Sequence, residues 1–171
     1  MSHGPATSLD VGDDELLALA QSLSQHLLAR GWMLACAESC TGGLIAATCT
    51  ELSGSSVWLE RGFVTYSNEA KSELLGVPLE LIAQHGAVSE PVAAAMASGA
   101  AARSRAQVAL SVTGIAGPTG GSPSKPVGTV WFGWSLPGHV HTEVRHFAGD
   151  RRAVRRQTVR HALTGLIDAL R

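Results

Sequence analysis

Leucines at 16, 19, 23 and 27 recur at helical spacing with mostly polar or small residues between them. That period puts one apolar stripe on a helix from Asp13 to about Arg30. Asp13 is the candidate cap, the acids of the first turn favour the dipole, and Gly31 supplies the stop. Trp32 to Ala37 then reads as a short buried strand. It runs into Glu38-Ser39-Cys40-Thr41-Gly42-Gly43, a tight turn, ahead of a second helix from about Gly43 to Leu52. Gly54 breaks that helix, and Val57 to Tyr66 alternates as a strand does. Asn68 is expected to cap a short helix carrying Lys71, stopped by Gly76 and Pro78. A helix over 79–84 follows, then an alanine-rich helix capped by Ser89 with Pro91 in its permissive first turn. Gln107 to Thr113 is the next strand. Thr129 to Ser135 and His139 to Phe147 form a hairpin about Pro137-Gly138. Asp150 caps a final helix to about Leu170.

Helices alternate with strands early and a hairpin comes late. The pattern predicts an α/β fold, a three-layer α/β/α sandwich with a mixed, mostly parallel sheet. The 171 residues suit a single domain over 12–171, behind a disordered lead over 1–11. Apolar residues make up 45% and charged residues 16%, which is not a disordered composition. Net charge is −1, so the surface as a whole does not advertise a polyanion, and no nucleic-acid partner is expected. No apolar run reaches the ~18 residues of a membrane span, and no secretory signal opens the chain. Cys36, Cys40 and Cys49 are odd in number and lack metal-ligand spacing. A soluble cytoplasmic protein without a metal or cofactor is the expectation, in a homo-oligomer.

Three segments hold more glycine and polar character than a scaffold needs: 37–43, 65–71 and 113–128. Two of them directly follow strands, at the edge where open α/β sheets bind ligands. Ser39 lies between a strand and a helix N-terminus, where backbone N–H groups could stabilise an oxyanion. On spacing alone, capping by Ser39 or Thr41 is the better account of this turn. Tyr66 is the only tyrosine, and Lys71 is one of two lysines against eleven arginines. A lysine partly buried near a helix N-terminus has a lowered pKa, and neutral lysine can act as a base. Taken alone, a solvated lysine beside a tyrosine packed at the sheet edge is the better account of this segment. The loop 113–128 has five glycines but matches neither a dinucleotide fingerprint nor a Walker P-loop. Its backbone N–H groups are a candidate cradle.

The last helix carries Arg151 and Arg155 on one face, and Arg152, Arg156 and Arg160 on another. Most of these suit a solvated face, while one of them could hold a phosphate. His139 and His141 share a strand face without a carboxylate or cysteine beside them. Cys40 is a rival nucleophile, favoured by the same helix N-terminus. The Tyr66–Lys71 spacing is five, whereas short-chain dehydrogenases use four.

The strings AESCTGG, TYSNEAK, HGAVSE and SVTGIAGPTGGSPSKPVGTVWFGW occur in this order. Together they resemble the C-terminal domain family of the competence- and damage-inducible CinA proteins, from about Asp13 to the C-terminus. That family includes nicotinamide-nucleotide amidohydrolases. The resemblance implies hydrolysis of the carboxamide of nicotinamide mononucleotide to nicotinate mononucleotide and ammonia. It implies Ser39 as nucleophile, with Tyr66 and Lys71 assisting. It implies substrate binding by Glu38, Thr41, Gly42 and Gly43, by Thr113, Gly114, Ala116 and Gly117, and by Arg145. The loop departs from the family at Thr119, where glycine is common. Larger members carry a further N-terminal domain, for which this chain leaves no room. A non-catalytic nucleotide-binding module tied to competence or DNA damage is the alternative.

Overall fold

A computed structural model describes residues 9–171. Residues 1–8 of the expected disordered lead lie outside the described residues, and Val11 is already buried in the core. The elements run α1 (Asp13–Arg30), β1 (Leu34–Glu38), α2 (Leu44–Thr50), β2 (Leu59–Val64), α3 (Asn68–Leu75) and α4 (Leu79–His85). Then come α5 (Glu90–Ala102), β3 (Val108–Gly114), β4 (Thr129–Leu136), β5 (His139–His146) and α6 (Arg151–Ala169).

Local chemistry sets several boundaries. Gly31 takes φ 64 and closes α1, with Trp32 N–H returning to the Leu27 carbonyl. The cap of α1 is Gly12, not Asp13, which opens the helix and leaves its carboxylate for α6. Ser67, not Asn68, caps α3, its hydroxyl accepting from Ala70 N–H at 3.0 Å. Asp150 caps α6 as expected, through Ala153 N–H. The strand expected from Val57 starts later, because a 3-10 turn over Ser55–Val57 exposes Val57 and seats Trp58 in the core.

The five strands form one sheet in the order β2-β1-β3-β4-β5. β1 is parallel to both β2 and β3, while β3–β4 and β4–β5 are antiparallel. Four of the five strands therefore point the same way, although the ladders divide evenly. Alternate residues of β1 face opposite layers. Leu34 and Cys36 pack with α1, α2 and α6, whereas Ala35 and Ala37 pack with α3, α4 and α5. Small residues on the second face let α5 lie close to the sheet. Gly99 of α5 does the same for α3, since a Cβ there would overlap the Leu75 carbonyl. α3 is thereby seated against α5.

Register decides where the chemistry lies. Glu38 sits opposite Val64 on one side and Val112 on the other, so β1 and β2 end level and β3 runs two residues further. Gly114 pairs with Val130, and Phe147 N–H bonds the Gly128 carbonyl. The turn after β1, the start of α3, the 115–128 loop and the N-terminus of α6 all meet at this one edge.

Candidate active site

Ser39 leaves β1 with its N–H on the Val112 carbonyl at 3.0 Å, which fixes it against β3. Its hydroxyl faces α3. Lys71 stands one turn into α3, is only 1% exposed, and places Nζ 3.0 Å from Ser39 Oγ. The same Nζ donates to the Thr65 carbonyl at 2.9 Å. Burial lowers the Lys71 pKa below the usual 10.5, because a desolvated ammonium is disfavoured. A hydroxyl thus rests against an amine that holds its proton weakly.

Ser39 and Thr41 are not side-chain caps of α2. That role falls to Glu38, whose fully buried carboxylate accepts from Ile45 N–H at 2.8 Å and Ala46 N–H at 3.0 Å. It also accepts the Thr41 hydroxyl at 2.6 Å. Glu38 and Thr41 were expected to touch substrate; the structure spends their side chains on the turn. Gly42 at φ 59 and Gly43 at φ 103 make that turn possible, in a region that disfavours side chains.

Cys40 lines the same cavity, but its thiol is pushed up to about 12, first of all by burial. Glu38 has already taken helix N–H groups that could have favoured a thiolate. Serine is the better-activated neighbour.

The Tyr66 hydroxyl is hydrogen-bonded to Arg151 Nη2 at 2.9 Å rather than to Ser39 or Lys71. Lys71 therefore meets Ser39 directly, with no Tyr66 hydroxyl between them. Thr113 is buried, its hydroxyl on the Ala87 carbonyl at 2.8 Å, and it lines the cavity with Gly114 and Ala116. Gly117 instead offers its carbonyl to Arg151 Nη1 at 2.9 Å. The cavity above Ser39 measures about 210 Å³. A wider groove of about 490 Å³ shares Ala116 and Arg151 with it and continues past Pro118, Val127, Arg152 and Arg155.

Arg145 is not brought here. It lies on β5, ion-paired with Glu143 and 3.4 Å from His161, and lines a separate cavity. Lys125 also stands apart, on the His85 carbonyl. Arg151, not Arg145, is the arginine that lines the cavity above Ser39. Asn68, Ala87 and Val88 also line the cavity. They lie in the TYSNEAK and HGAVSE strings, and that was the only signal for them. Of the two arginine faces of α6, Arg152 departs from its expected partners Arg156 and Arg160 and lines the groove. Arg151 and Arg155 turn to the site, while Arg156 and Arg160 pair with Asp13 and Glu15 of α1.

The model of the CinA C-terminal domain matches residues 16–170. The chain belongs to the CinA C-terminal domain family. Family members similar to it include the nicotinamide-nucleotide amidohydrolase PncC of Escherichia coli K12, 55% identical over 155 residues. That match covers 90% of this chain and 94% of the relative. PncC of Pseudomonas putida is 53% identical over 90% of this chain and 96% of its own length. Among solved structures, the competence/damage inducible protein CihA from Agrobacterium tumefaciens superposes with a TM-score of 0.89. It is 47% identical over 96% of this chain and 99% of that one.

Proposed function

We propose that this chain hydrolyses the carboxamide of nicotinamide mononucleotide, with Ser39 as nucleophile and Lys71 as general base. The observation that carries the reading is the 3.0 Å contact between Ser39 Oγ and the buried Lys71 amine. The family members named nicotinamide-nucleotide amidohydrolase, matched over nearly their whole length, support the substrate.

Neutral Lys71 takes the Ser39 proton as Oγ bonds to the amide carbon. The oxyanion is held by the N–H groups of Cys40 and Thr41, which donate to no protein atom among the described residues. Lys71 returns its proton to the nitrogen, the C–N bond breaks and ammonia leaves. Water then gives a proton to Lys71 and its oxygen to the acyl carbon. The Ser39 ester bond breaks and Lys71 reprotonates Oγ. Tyr66 shapes the rim through Arg151. Self-association belongs to the same reading, supported by the open sheet edges at β2 and β5.

The test is an ammonia assay with nicotinamide mononucleotide. Ammonia and nicotinate mononucleotide in equal amounts are expected. Tight binding without ammonia would favour the nucleotide-binding module instead.

Arg151 is the proposed phosphate ligand, since only two of its five N–H donors are committed and its side chain lines the groove. A charge-assisted bond is worth about 1.5–3 kcal/mol, so Arg151→Ala should raise KM roughly 10- to 100-fold. The riboside, which lacks phosphate, should show a much smaller change. Equal losses with both substrates would remove Arg151 from that role.

A further inference from the structure

We propose that Arg155 is a positioning residue that sets the oxyanion hole beside Ser39; the inference rests on the amidase reading above. Arg155 lies one turn beyond Arg151 on α6, and its guanidinium reaches back to the turn after the nucleophile. Nε donates to the Cys40 carbonyl at 3.1 Å, and Nη2 donates to the Thr41 carbonyl at 2.9 Å.

A peptide unit is planar and trans, so fixing a carbonyl fixes the N–H on its far side. Holding the Cys40 carbonyl turns the Thr41 N–H away from α6. Holding the Thr41 carbonyl turns the Gly42 N–H away as well, and that group donates to the Ser39 carbonyl at 3.1 Å. The Ser39 carbonyl in turn fixes the plane that carries the Cys40 N–H. One guanidinium thereby sets three consecutive peptides.

Several other donors near the turn are occupied. Ile45 and Ala46 N–H groups bind Glu38, and Leu44 N–H binds the Thr41 carbonyl at 3.1 Å. The N–H groups of Cys40, Thr41 and Gly43 are left over, and those of Cys40 and Thr41 belong to peptides that Arg155 orients. Two carbonyls side by side need two donors in a rigid fork, which arginine has and lysine lacks. An arginine here also places a fixed positive charge behind the developing oxyanion.

The experiment compares the parent enzyme with Arg155→Ala and Arg155→Lys on nicotinamide mononucleotide. Loss of an oxyanion donor costs ~10²–10³ in kcat, so Arg155→Ala should lose about a hundredfold in kcat. KM should stay near the parent value. Arg155→Lys keeps the charge but has one donor nitrogen in place of a fork, and should fall between. Methylguanidinium, well below denaturing concentrations, should restore part of the kcat of Arg155→Ala. A parent enzyme that releases no ammonia sinks the amidase reading itself. An active parent with Arg155→Ala at full kcat, or with only KM raised, overturns the positioning role. So does loss of the folded state in both variants, which would make Arg155 a scaffold residue.

Discussion

Ser39→Ala is expected to lower ammonia release from nicotinamide mononucleotide by roughly 10³-fold or more, the scale seen when a covalent nucleophile is removed. Cys40→Ala should turn over near the parent rate. The two residues are adjacent and line one cavity, so the pair tests chemistry rather than position. Ser39 Oγ touches the Lys71 amine, while the Cys40 thiol is buried and pushed up to about 12. A dead Cys40→Ala beside an active Ser39→Ala would reverse the assignment. Ser39→Ala should still bind the nucleotide, because the proposed phosphate contact lies on α6.

Lys71→Met should cost ~10²–10⁴-fold in kcat, the usual contribution of a general base. Lys71→Arg should fare no better, since a guanidinium stays protonated. In the parent, kcat/KM should rise with pH as one proton leaves a group titrating below 10.5, and that limb should vanish in both variants. Stability carries the same signature. Below 10.5 the unfolded chain keeps the lysine proton, whereas the folded chain releases it at a lower pH. The unfolded state therefore binds more protons in that window, and stability from this group rises with pH across it. Relative to the parent, Lys71→Met should be favoured most on the acid side. Its advantage should shrink as pH climbs towards 10.5. Thermal melts of both proteins across pH measure this; a difference that stays flat would mean that burial does not perturb Lys71.

Much of this was legible in the sequence because it is local. Strand, turn and helix around Ser39 follow from periodicity and paired glycines. The grouping of Arg151 with Arg155, and of Arg156 with Arg160, follows from i, i+4 spacing; that one pair would meet the site and the other α1, rather than solvent, did not. What was not legible depends on partners distant in the chain. Nothing near Glu38 says that its carboxylate would fold forward onto α2 instead of reaching substrate. Arg145 was expected at the site, yet β5 carries it to the His161 face, a matter of sheet order alone. Tyr66 and Lys71 are neighbours in sequence but diverge, because Lys71 turns inward on α3 while Tyr66 stays 62% exposed at the rim. Ser67 displaced Asn68 as cap by one position, the ordinary uncertainty of a helix start.

The carboxylate of Glu38 bears on how the reaction ends. Turnover converts an uncharged carboxamide into an anion, formed beside the start of a helix. Such a helix start ordinarily attracts anions and would retard escape of the newly formed acid. Here Glu38 occupies the first amides of α2 from inside the protein. The molecule carries its own resident anion, so one source of product inhibition is removed before catalysis begins.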